Sequence, residues 1–323
     1  MPISTGRSAA GGSSRRLANA SCSVPDPRVT VVVLTHNRAA ELCRTLQRLQ
    51  ALPEQPRLVV VDNGCTDDTA ARVRRECPAA ELVRCAANLG AAGRNAGVAC
   101  VQTPYVAFCD DDTWWAAGAL ARASDLLDAH PRLALVSARV LIGPEERLDP
   151  TCERMAHSPL DSTGLPGPAL IAFMAGAVVM RTEAYRAVGG YEARLFLGAE
   201  EALMAFDLAA RGWRMIYAAE VVTHHHPSPA RDPRARRIVL ARNRLWIAWM
   251  RLPVASACAE SAVILREVAG QGLLRPVLRQ ALGGLGWALA RRDVLPAPVL
   301  EMHRRVFGRR LARLPPSGAP ASG

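Results

Sequence analysis

The stretch VTVVVLTHNR, residues 29–38, decides the fold, because a run of β-branched and apolar residues ends abruptly in polar ones. Val29–Leu34 predicts a short buried strand, and the apolar spacing of Glu41–Leu52 predicts a helix directly after it. The same order recurs, with further strands predicted at Leu58–Val61, Glu81–Cys85, Tyr105–Cys109 and Leu133–Ile142 and helices at Asp67–Glu76, Ala91–Gln102 and Ala117–Ala129. This alternation indicates an α/β fold, with a mostly parallel sheet covered by helices on both faces.

The bulk composition sets limits on the class of protein. A chain of 323 residues, half of them hydrophobic, is long enough for one large domain and a smaller one. Residues 1–27 are rich in Ser, Gly, Ala and Arg and contain no apolar run, so we expect a disordered tail and not a signal peptide. No segment has the roughly 18 uninterrupted apolar residues of a membrane-spanning helix.

Cysteine usage and charge point to a compartment and to a class of partner. The nine cysteines include no Cys-x-x-Cys pair, which argues against a zinc site or a disulfide framework and favours a cytoplasmic location. The net charge of +11 is densest after Pro229. It is explained either by an anionic partner, such as a phosphate, a lipid headgroup or a nucleic acid, or by a solvated surface in an arginine-rich chain. We favour the second explanation.

Polar residues stand where the predicted strands end. Thr35, Asn37 and Arg38 follow the first strand, Asp62 follows the second, and the triplet Asp110-Asp111-Asp112 follows the fourth. Because ligands of such sheets bind at the carboxyl ends of the strands, we expect these side chains to converge on one crevice. Three consecutive carboxylates repel one another unless a positive group binds between them, and Mg²⁺ or Mn²⁺ takes both carboxylate and phosphate oxygens.

The segment at residues 88–97 is rich in small residues. Its glycine spacing is not that of a dinucleotide-binding loop, so a dehydrogenase is a weak alternative. Asn88, Gly93 and Arg94 are candidates for contact with a phosphate, since small residues let the backbone approach a ligand and arginine supplies charge. Close packing of a helix on the sheet explains the glycines equally well.

Together these motifs resemble the inverting family-2 glycosyltransferases of the GT-A fold. The resemblance rests on residues 33–38, 61–67, 88–95 and 108–112, and extends more loosely to about Pro229. It implies a Rossmann-like mixed sheet flanked by helices, with a nucleotide-sugar half at 28–113 and an acceptor half at 114–229. A helical C-terminal region at 230–315 and a disordered tail at 316–323 complete the expected domain organisation.

The resemblance also implies roles for individual residues. Asp62 would contact the nucleobase, Asp110 the ribose or a metal ion, and Asp112 would be the metal-bridging acid. Asp111 would serve the ribose or the fold. The other expected nucleotide-sugar-binding residues are Thr35, Asn37, Arg38, Asn88, Gly93 and Arg94.

Glu200 and Glu201 open a predicted helix that runs to Arg211. Negative charge at a helix N-terminus is favourable by itself, so the pair has a structural explanation. The resemblance makes one member the general base, which an inverting transfer needs to take the proton from the acceptor hydroxyl. We expect Glu201 to be the base, with Glu200 as the alternative. The family often carries another acid two residues beyond the pair, where this chain has Leu203.

Three histidines, His224, His225 and His226, follow the last predicted strand. Alternate side chains of a strand point to opposite faces, so all three cannot easily join one zinc site. The resemblance places a metal-binding or diphosphate-contacting histidine here. His224 matches best, and His226 is the reserve because it shares the same parity.

Two further predictions concern the second half of the chain. A strand is predicted at Ile171–Met180, after an irregular stretch at Pro144–Pro168. Helices are predicted at Ile238–Leu252, Ala255–Val268, Leu273–Ala290 and Val299–Leu311. Trp246 and Trp249 share one helical face, which we expect to pack on the catalytic domain; peripheral contact with a membrane is the alternative.

The expected activity is metal-dependent transfer of a sugar from a nucleotide-diphosphate sugar, a UDP-sugar by resemblance, to an acceptor hydroxyl. The acceptor is expected to be a small soluble metabolite, such as an aminocyclitol antibiotic precursor, or alternatively a polysaccharide or lipid-linked glycan. A sugar-phosphate nucleotidyltransferase is a less favoured class, because the chain lacks an early glycine-rich loop with a lysine. A nucleic-acid-binding protein ranks last, since only the basic charge suggests it.

Overall fold

A computed structural model of the protein describes residues 26–227 and 233–308. The tails predicted to be disordered, at 1–27 and 316–323, therefore lie outside the described residues except for positions 26 and 27. Residues 228–232, which include the predicted boundary at 229–230 and part of the basic run, also lie outside the described residues. The same holds for the end of the last predicted helix, from residue 309 onward.

The described chain alternates strands and helices in its first half. The strands are β1 (Val29–Thr35), β2 (Arg57–Asp62), β3 (Glu81–Arg84), β4 (Tyr105–Asp110), β5 (Thr113–Trp115), β6 (Leu133–Ile142), β7 (Arg147–Leu148), β8 (Val178–Arg181) and β9 (Arg214–His225). The helices of this part are α1 (Ala39–Gln50), α2 (Thr69–Glu76), α3 (Gly93–Ala99), α4 (Ala119–Ala129), α5 (Pro150–Ala156), α6 (Thr182–Ala187) and α7 (Glu200–Ala210). Short 3-10 turns at Gly90–Ala92 and Ala193–Leu195 precede α3 and α7.

Four helices follow: α8 (Pro233–Arg251), α9 (Val254–Gly270), α10 (Leu274–Ala290) and α11 (Ala297–Phe307). Trp246 lies 6% exposed in α8, packs edge-on against Trp287 and donates its indole N–H to the carbonyl of Ala281 in α10 at 2.8 Å. Trp246 shares a hydrophobic cluster with Leu203 and Phe206 of α7. The tryptophan face of α8 therefore packs inward, as expected. No helix of the described chain is long and apolar enough to cross a membrane.

The strands form a single mixed sheet in the order β3-β2-β1-β4-β8-β6-β9-β5, with β7 paired to β6. The first four strands are parallel, but β8 pairs antiparallel with both β4 and β6. A mostly parallel sheet is thus found in residues 28–113. The later strands are mixed, with β6 parallel to β9 but antiparallel to β7 and β8, so the mixed sheet expected from the resemblance is confirmed. Hydrophobic patterning reports burial and not strand direction, so the reversal at β8 leaves no trace in the sequence.

Two local predictions in the second half are wrong. The strand predicted at Ile171–Met180 is reduced to β8, and the preceding residues form an irregular segment whose Ile171 and Phe173 are nonetheless buried. The stretch predicted to be irregular contains β7 and α5. α5 begins at a proline and is capped by Asp149, whose side chain accepts a hydrogen bond from the Thr151 N–H at 2.7 Å.

Two helical glycines give opposite predictions for stability. A Cβ at Gly97 in α3 would lie 2.5 Å from Val32 Cγ1 and 2.8 Å from Val61 Cγ2, both fixed in the sheet, whereas a Cβ at Gly283 in α10 would meet nothing within 4 Å. We expect Gly97→Ala to lower the free energy of unfolding by about 1–3 kcal/mol through overpacking. Gly283→Ala should raise it by about 0.5–1 kcal/mol through helix propensity. Urea unfolding of the two variants tests this, and equal shifts would contradict the close packing of α3 on the sheet.

Candidate active site

The carboxyl ends of the parallel strands bring the expected residues together. In the sheet register Leu34 is the partner of Asp110, and Thr35 is the partner of Asp62. The polar residues after β1, β2 and β4 therefore lie at one edge of the sheet, as the alternation predicted.

Asp111 and Asp112 are held by a guanidinium group. Arg38 Nη1 lies 2.5 Å from Asp111 Oδ1 and 3.0 Å from Asp112 Oδ2. Thr35 donates its hydroxyl to the other oxygen of Asp111 at 2.9 Å. Burial raises the pKa of Asp111 to about 7, against the opposing effect of Arg38. Asp111 is thus buried among side chains of the fold, where it fixes Arg38 next to Asp112.

Asp110 forms an ion pair with Arg94, the second residue of α3. Arg94 is only 3% exposed, and its guanidinium carbon also lies 5.8 Å from the centre of the Tyr191 ring. Asn95, next in the chain, bonds both the N–H and the carbonyl of Tyr191. Arg94 is therefore a fully buried cation that neutralises the first acid of the triplet.

Asp62, the expected nucleobase contact, and Asn37, an expected nucleotide-sugar-binding residue, also make bonds within the protein. Asp62 accepts hydrogen bonds from the Cys65 N–H at 2.7 Å and from Arg84 Nε at 2.9 Å, so both of its oxygens shape the turn after β2. Asn37 has a positive φ of 55° and accepts a hydrogen bond from the Thr66 N–H at 2.7 Å. These bonds tie the turns after β1 and β2 to each other.

The donor-side loop, residues 88–92, is fixed by Asn63. Its amide donates to Asn88 Oδ1 at 3.1 Å and to the Gly90 carbonyl at 3.0 Å. A Cβ at Gly93 would lie 2.7 Å from Leu34 Cδ1 and 2.8 Å from Asn63 Oδ1. Close packing, one of the two explanations that the sequence left open, accounts for Gly93.

The structure places His225, and not His224, beside the acidic triplet. His225 Nε2 lies 3.6 Å from Asp112 Oδ1, whereas the His224 ring stacks on Trp114 with centroids 5.3 Å apart. His226 meets Trp114 edge-on, so His224 and His226 share a face, as expected from their parity. The metal-ligand role expected of His224 stays a prediction, while the geometry makes His225 the histidine nearest to the Asp112 carboxylate. Among the described residues, no group of three His, Cys, Asp or Glu side chains that could hold a metal ion is found. The metal-ligand roles of Asp110 and Asp112 stay predictions.

Glu200 and Glu201 begin α7, directly after Ala199, which has a positive φ of 67°. Glu200 is 5% exposed, and its Oε2 has no hydrogen-bond partner among the described residues, while Glu201 is half-buried. Burial is the largest cause that raises the pKa of both carboxyls, and mutual repulsion adds to it for Glu201. The positive charge of Arg94 opposes the rise in pKa of both glutamates, and the charge of Asp110 adds to the rise for Glu200. The glutamate pair and the acidic triplet therefore lie close enough to the same buried arginine to interact with it.

Sequence reasoning missed the residues that surround this site from other elements. Trp114 in β5 stacks with His224 and also contacts Arg48 of α1, whose guanidinium carbon lies 3.6 Å from a Trp114 ring centre. Gly176 contacts the triplet, since a Cβ there would lie 2.8 Å from Asp110 Oδ2. These contacts join residues that are far apart in the chain, so the sequence does not predict them. Only the aromatic residues directly after the acidic triplet could have been recognised from their position in the sequence.

Residues 30–189 match the family described as Glycosyl transferase family 2. The chain is 30% identical over 221 residues to the pre-mycofactocin glycosyltransferase of Mycobacterium tuberculosis (strain CDC 1551 / Oshkosh), covering 65% of this chain and 45% of that protein. It is 25% identical over 244 residues to the N-acetylglucosaminyl-diphospho-decaprenol L-rhamnosyltransferase of the same strain, covering 63% of this chain and 78% of that protein. The chain thus spans less than half the length of the first relative.

A solved structure shares the fold. The mannosyltransferase PcManGT from Pyrobaculum calidifontis, in complex with GDP-Man and Mn²⁺, superposes with a TM-score of 0.54 over 90% of this chain and 87% of that one, at 22% identity. At that identity the likeness concerns the fold. With the family match, it shows that this chain carries a glycosyl transferase family 2 domain with the GT-A fold, as its strand-end motifs implied.

Proposed function

We propose that the protein transfers a sugar from a nucleoside-diphosphate sugar to an acceptor hydroxyl with inversion, assisted by Mg²⁺ or Mn²⁺. The observation that carries the proposal is the pairing of Asp112 with His225, at 3.6 Å, together with the glutamate pair that Arg94 links electrostatically to the same acidic triplet. One set provides ligands for a metal and diphosphate, and the other provides a base. An inverting displacement needs a base for the acceptor proton, and a metal ion can stabilise the diphosphate leaving group.

The ligand atoms of Asp112 and His225 fit a divalent metal ion that also binds the substrate diphosphate. The carboxylate of Asp112, in the turn between β4 and β5, and the imidazole of His225, at the end of β9, supply two ligands. Mg²⁺ or Mn²⁺ commonly completes its coordination with waters and phosphate oxygens. Asp112 and His225 would hold the ion, and when bound it would neutralise the diphosphate leaving group as a Lewis acid. PcManGT was solved with GDP-Man and Mn²⁺, which supports the same arrangement here.

Two arginines prepare the site. Arg38 keeps Asp111 and Asp112 close together despite their like charge, because its Nη1 lies within 3.0 Å of both carboxylates. Arg94 neutralises Asp110 through an ion pair. The donor diphosphate therefore meets a site whose acidic residues are already oriented.

The base is assigned to Glu201. Glu200 is buried and the N–H of Gly198 favours its ionised form, while Glu201 is the more accessible of the two. Two adjacent carboxyls in a desolvated site release their protons in separate steps that belong to the pair. Glu201 takes the acceptor's proton, and Glu200 sets the pH at which Glu201 becomes available.

The nucleotide and the acceptor are proposed at the level of class. The UDP-sugar expected from the family resemblance and the GDP-sugar bound by PcManGT are the two donors to test first. The named relatives act, by their names, on pre-mycofactocin and on a diphospho-decaprenol-linked sugar. We infer an acceptor with an apolar portion, in place of the aminocyclitol expected from composition.

Matched histidine variants test the metal site. We expect His225→Phe to weaken Mn²⁺ binding in the presence of UDP by at least tenfold, because it removes an imidazole ligand. His224→Phe should leave the affinity within about twofold, because it keeps the aromatic stack on Trp114. Electron paramagnetic resonance of free Mn²⁺ measures both. Weakened binding in His224→Phe alone would return the ligand role to His224.

The glutamate pair gives a prediction for pH dependence. A base must be ionised, and the raised pKa of the pair moves the acid limb of kcat above the value of about 4.3 for an ordinary glutamate. Glu201→Gln should abolish turnover and spare nucleotide binding. Glu200→Gln should remain active and shift the acid limb to lower pH, because it removes the neighbouring charge. Normal turnover in Glu201→Gln with loss in Glu200→Gln would exchange the two roles.

A further inference from the structure

The acceptor-side loop, residues 195–199, enters α7 in a strained conformation. Phe196 and Ala199 have positive φ values of 63° and 67°, although neither is glycine. Such backbone is uncommon for residues with a Cβ and persists where the surroundings enforce it, often at binding sites. The loop ends at the glutamate pair, and the Gly198 N–H favours the ionised form of Glu200.

Two elements hold this loop from opposite sides. Asn243 of α8, with 0% exposure, donates its amide to the carbonyls of Leu195 at 2.7 Å and Gly198 at 2.6 Å, with a longer contact of 3.3 Å to Leu197. On the donor side, the Ala91 N–H donates to the Phe196 carbonyl at 2.6 Å. A residue beyond the matched family region, which ends at 189, therefore fixes the backbone that leads to the base.

The loop presents apolar side chains to solvent. Phe196 and Leu197 are 40% and 46% exposed, and Leu89 and Leu240 are 41% and 37% exposed. A Cβ on Gly90, next to Leu89, would lie 2.8 Å from Phe196 Cδ2, and one on Gly198 would lie 3.4 Å from Leu240 Cδ1. Four of the nine large hydrophobic residues exposed in the described chain thus gather in one band.

Positive charge borders the band on α8. Arg236 and Arg237 are exposed and lie one helical turn before Leu240. Within Pro233–Arg251 the sequence has six arginines and no acidic residue. Contact between two copies through this helix would oppose like charges, so the surface suits an anionic amphiphile better than a second copy.

We propose that Leu89, Phe196, Leu197 and Leu240 form an acceptor subsite that binds an apolar chain beside an anionic group such as a phosphate, with Asn243 as the positioning residue. The inference rests on the proposed glycosyl transfer, which makes the neighbouring glutamates the base. Two sources share this chemistry: a lipid-linked acceptor and a small amphiphilic metabolite. Both present an apolar segment next to the head that carries the hydroxyl.

Calorimetric titration with butyl, hexyl and octyl phosphate, each below its micelle concentration, tests the subsite. Affinity should rise roughly two- to fourfold for each added methylene. Leu197→Ser should reduce octyl phosphate binding at least fivefold, whereas Leu282→Ser, which alters an exposed leucine of α10, should not change it. Affinity independent of chain length, or equal losses in the two variants, would overturn the proposal. So would binding only to phosphatidylglycerol vesicles, which would make this a membrane surface.

Asn243 is tested by hydrogen exchange. Asn243→Ala should speed amide exchange at residues 195–199 and weaken octyl phosphate binding, while UDP binding stays unchanged. Trp246→Phe is the control, because it loses a hydrogen bond on the same helix, to the carbonyl of Ala281 in α10, and keeps the hydrogen bonds of Asn243 to the loop. If Asn243→Ala does not fold, Asn243→Ser keeps a shorter donor and should give a smaller change in the same direction. Unchanged exchange in a folded Asn243 variant would remove its role.

Transfer assays separate this inference from the proposed function. Decaprenyl-phosphate-linked and soluble alkyl sugar acceptors, each offered with UDP- and GDP-sugars, distinguish the two sources. Transfer without any dependence on the apolar chain would overturn the subsite alone. Chain-length-dependent binding without transfer from any nucleotide sugar would support the subsite and refute the proposed activity.

Discussion

The site depends on the neutralisation of three consecutive carboxylates by two arginines that come from different parts of the chain. Arg38 follows β1 and bridges Asp111 and Asp112, while Arg94 begins α3 and pairs with Asp110 from an almost fully buried position. Without these cations, the three carboxylates would repel one another, and they would either turn apart or take up protons because their pKa values would rise. A buried guanidinium without its partner would be equally unfavourable. The acids and the arginines therefore require each other, and through them the ends of β1 and β4 and the start of α3 are fixed in one place.

Much of this nucleotide-sugar half could be predicted from the sequence, for a geometric reason. Parallel strands linked by helices place their carboxyl ends at one edge whatever the length of the connections, so a polar residue directly after a buried strand has a known neighbourhood. Thr35, Asp62 and Asp110 meet for this reason. The neighbourhood does not specify the partner, however. Asp62 and Gly93 lie where they were expected. Their observed contacts are nonetheless within the protein, because Asp62 accepts a hydrogen bond in the turn after β2 and Gly93 packs closely on its neighbours.

Two features of the second half, the orientation of the three histidines and the irregular segment before β8, could not be predicted from hydrophobic pattern alone. The pairing of β6 with β9 slips between Ala138 and Arg139, whose partners are Ala218 and Val222, and this irregularity sets which face of the following residues meets the site. Parity correctly groups His224 with His226 but cannot choose the face, so the neighbour of Asp112 proved to be His225. Ile171 and Phe173 are buried without belonging to a strand. Apolar composition indicates burial, and regular structure does not follow from it.

The loop at residues 195–199 could not be predicted in the way that the strand-end residues could, because contacts between distant parts of the chain determine its geometry. Asn243 bonds the carbonyl of Gly198 across 45 residues, and Ala91 reaches the same loop from the donor side. A single asparagine in a basic helix carries no motif, whereas an aspartate triplet after a strand does. Asn243 of α8, a helix beyond the family region, thus holds the backbone of the loop that precedes the glutamate pair. In the proposed function the donor residues lie at strand ends and the acceptor subsite is built partly from α8, so acceptor specificity could change without disturbing the chemistry of the leaving group.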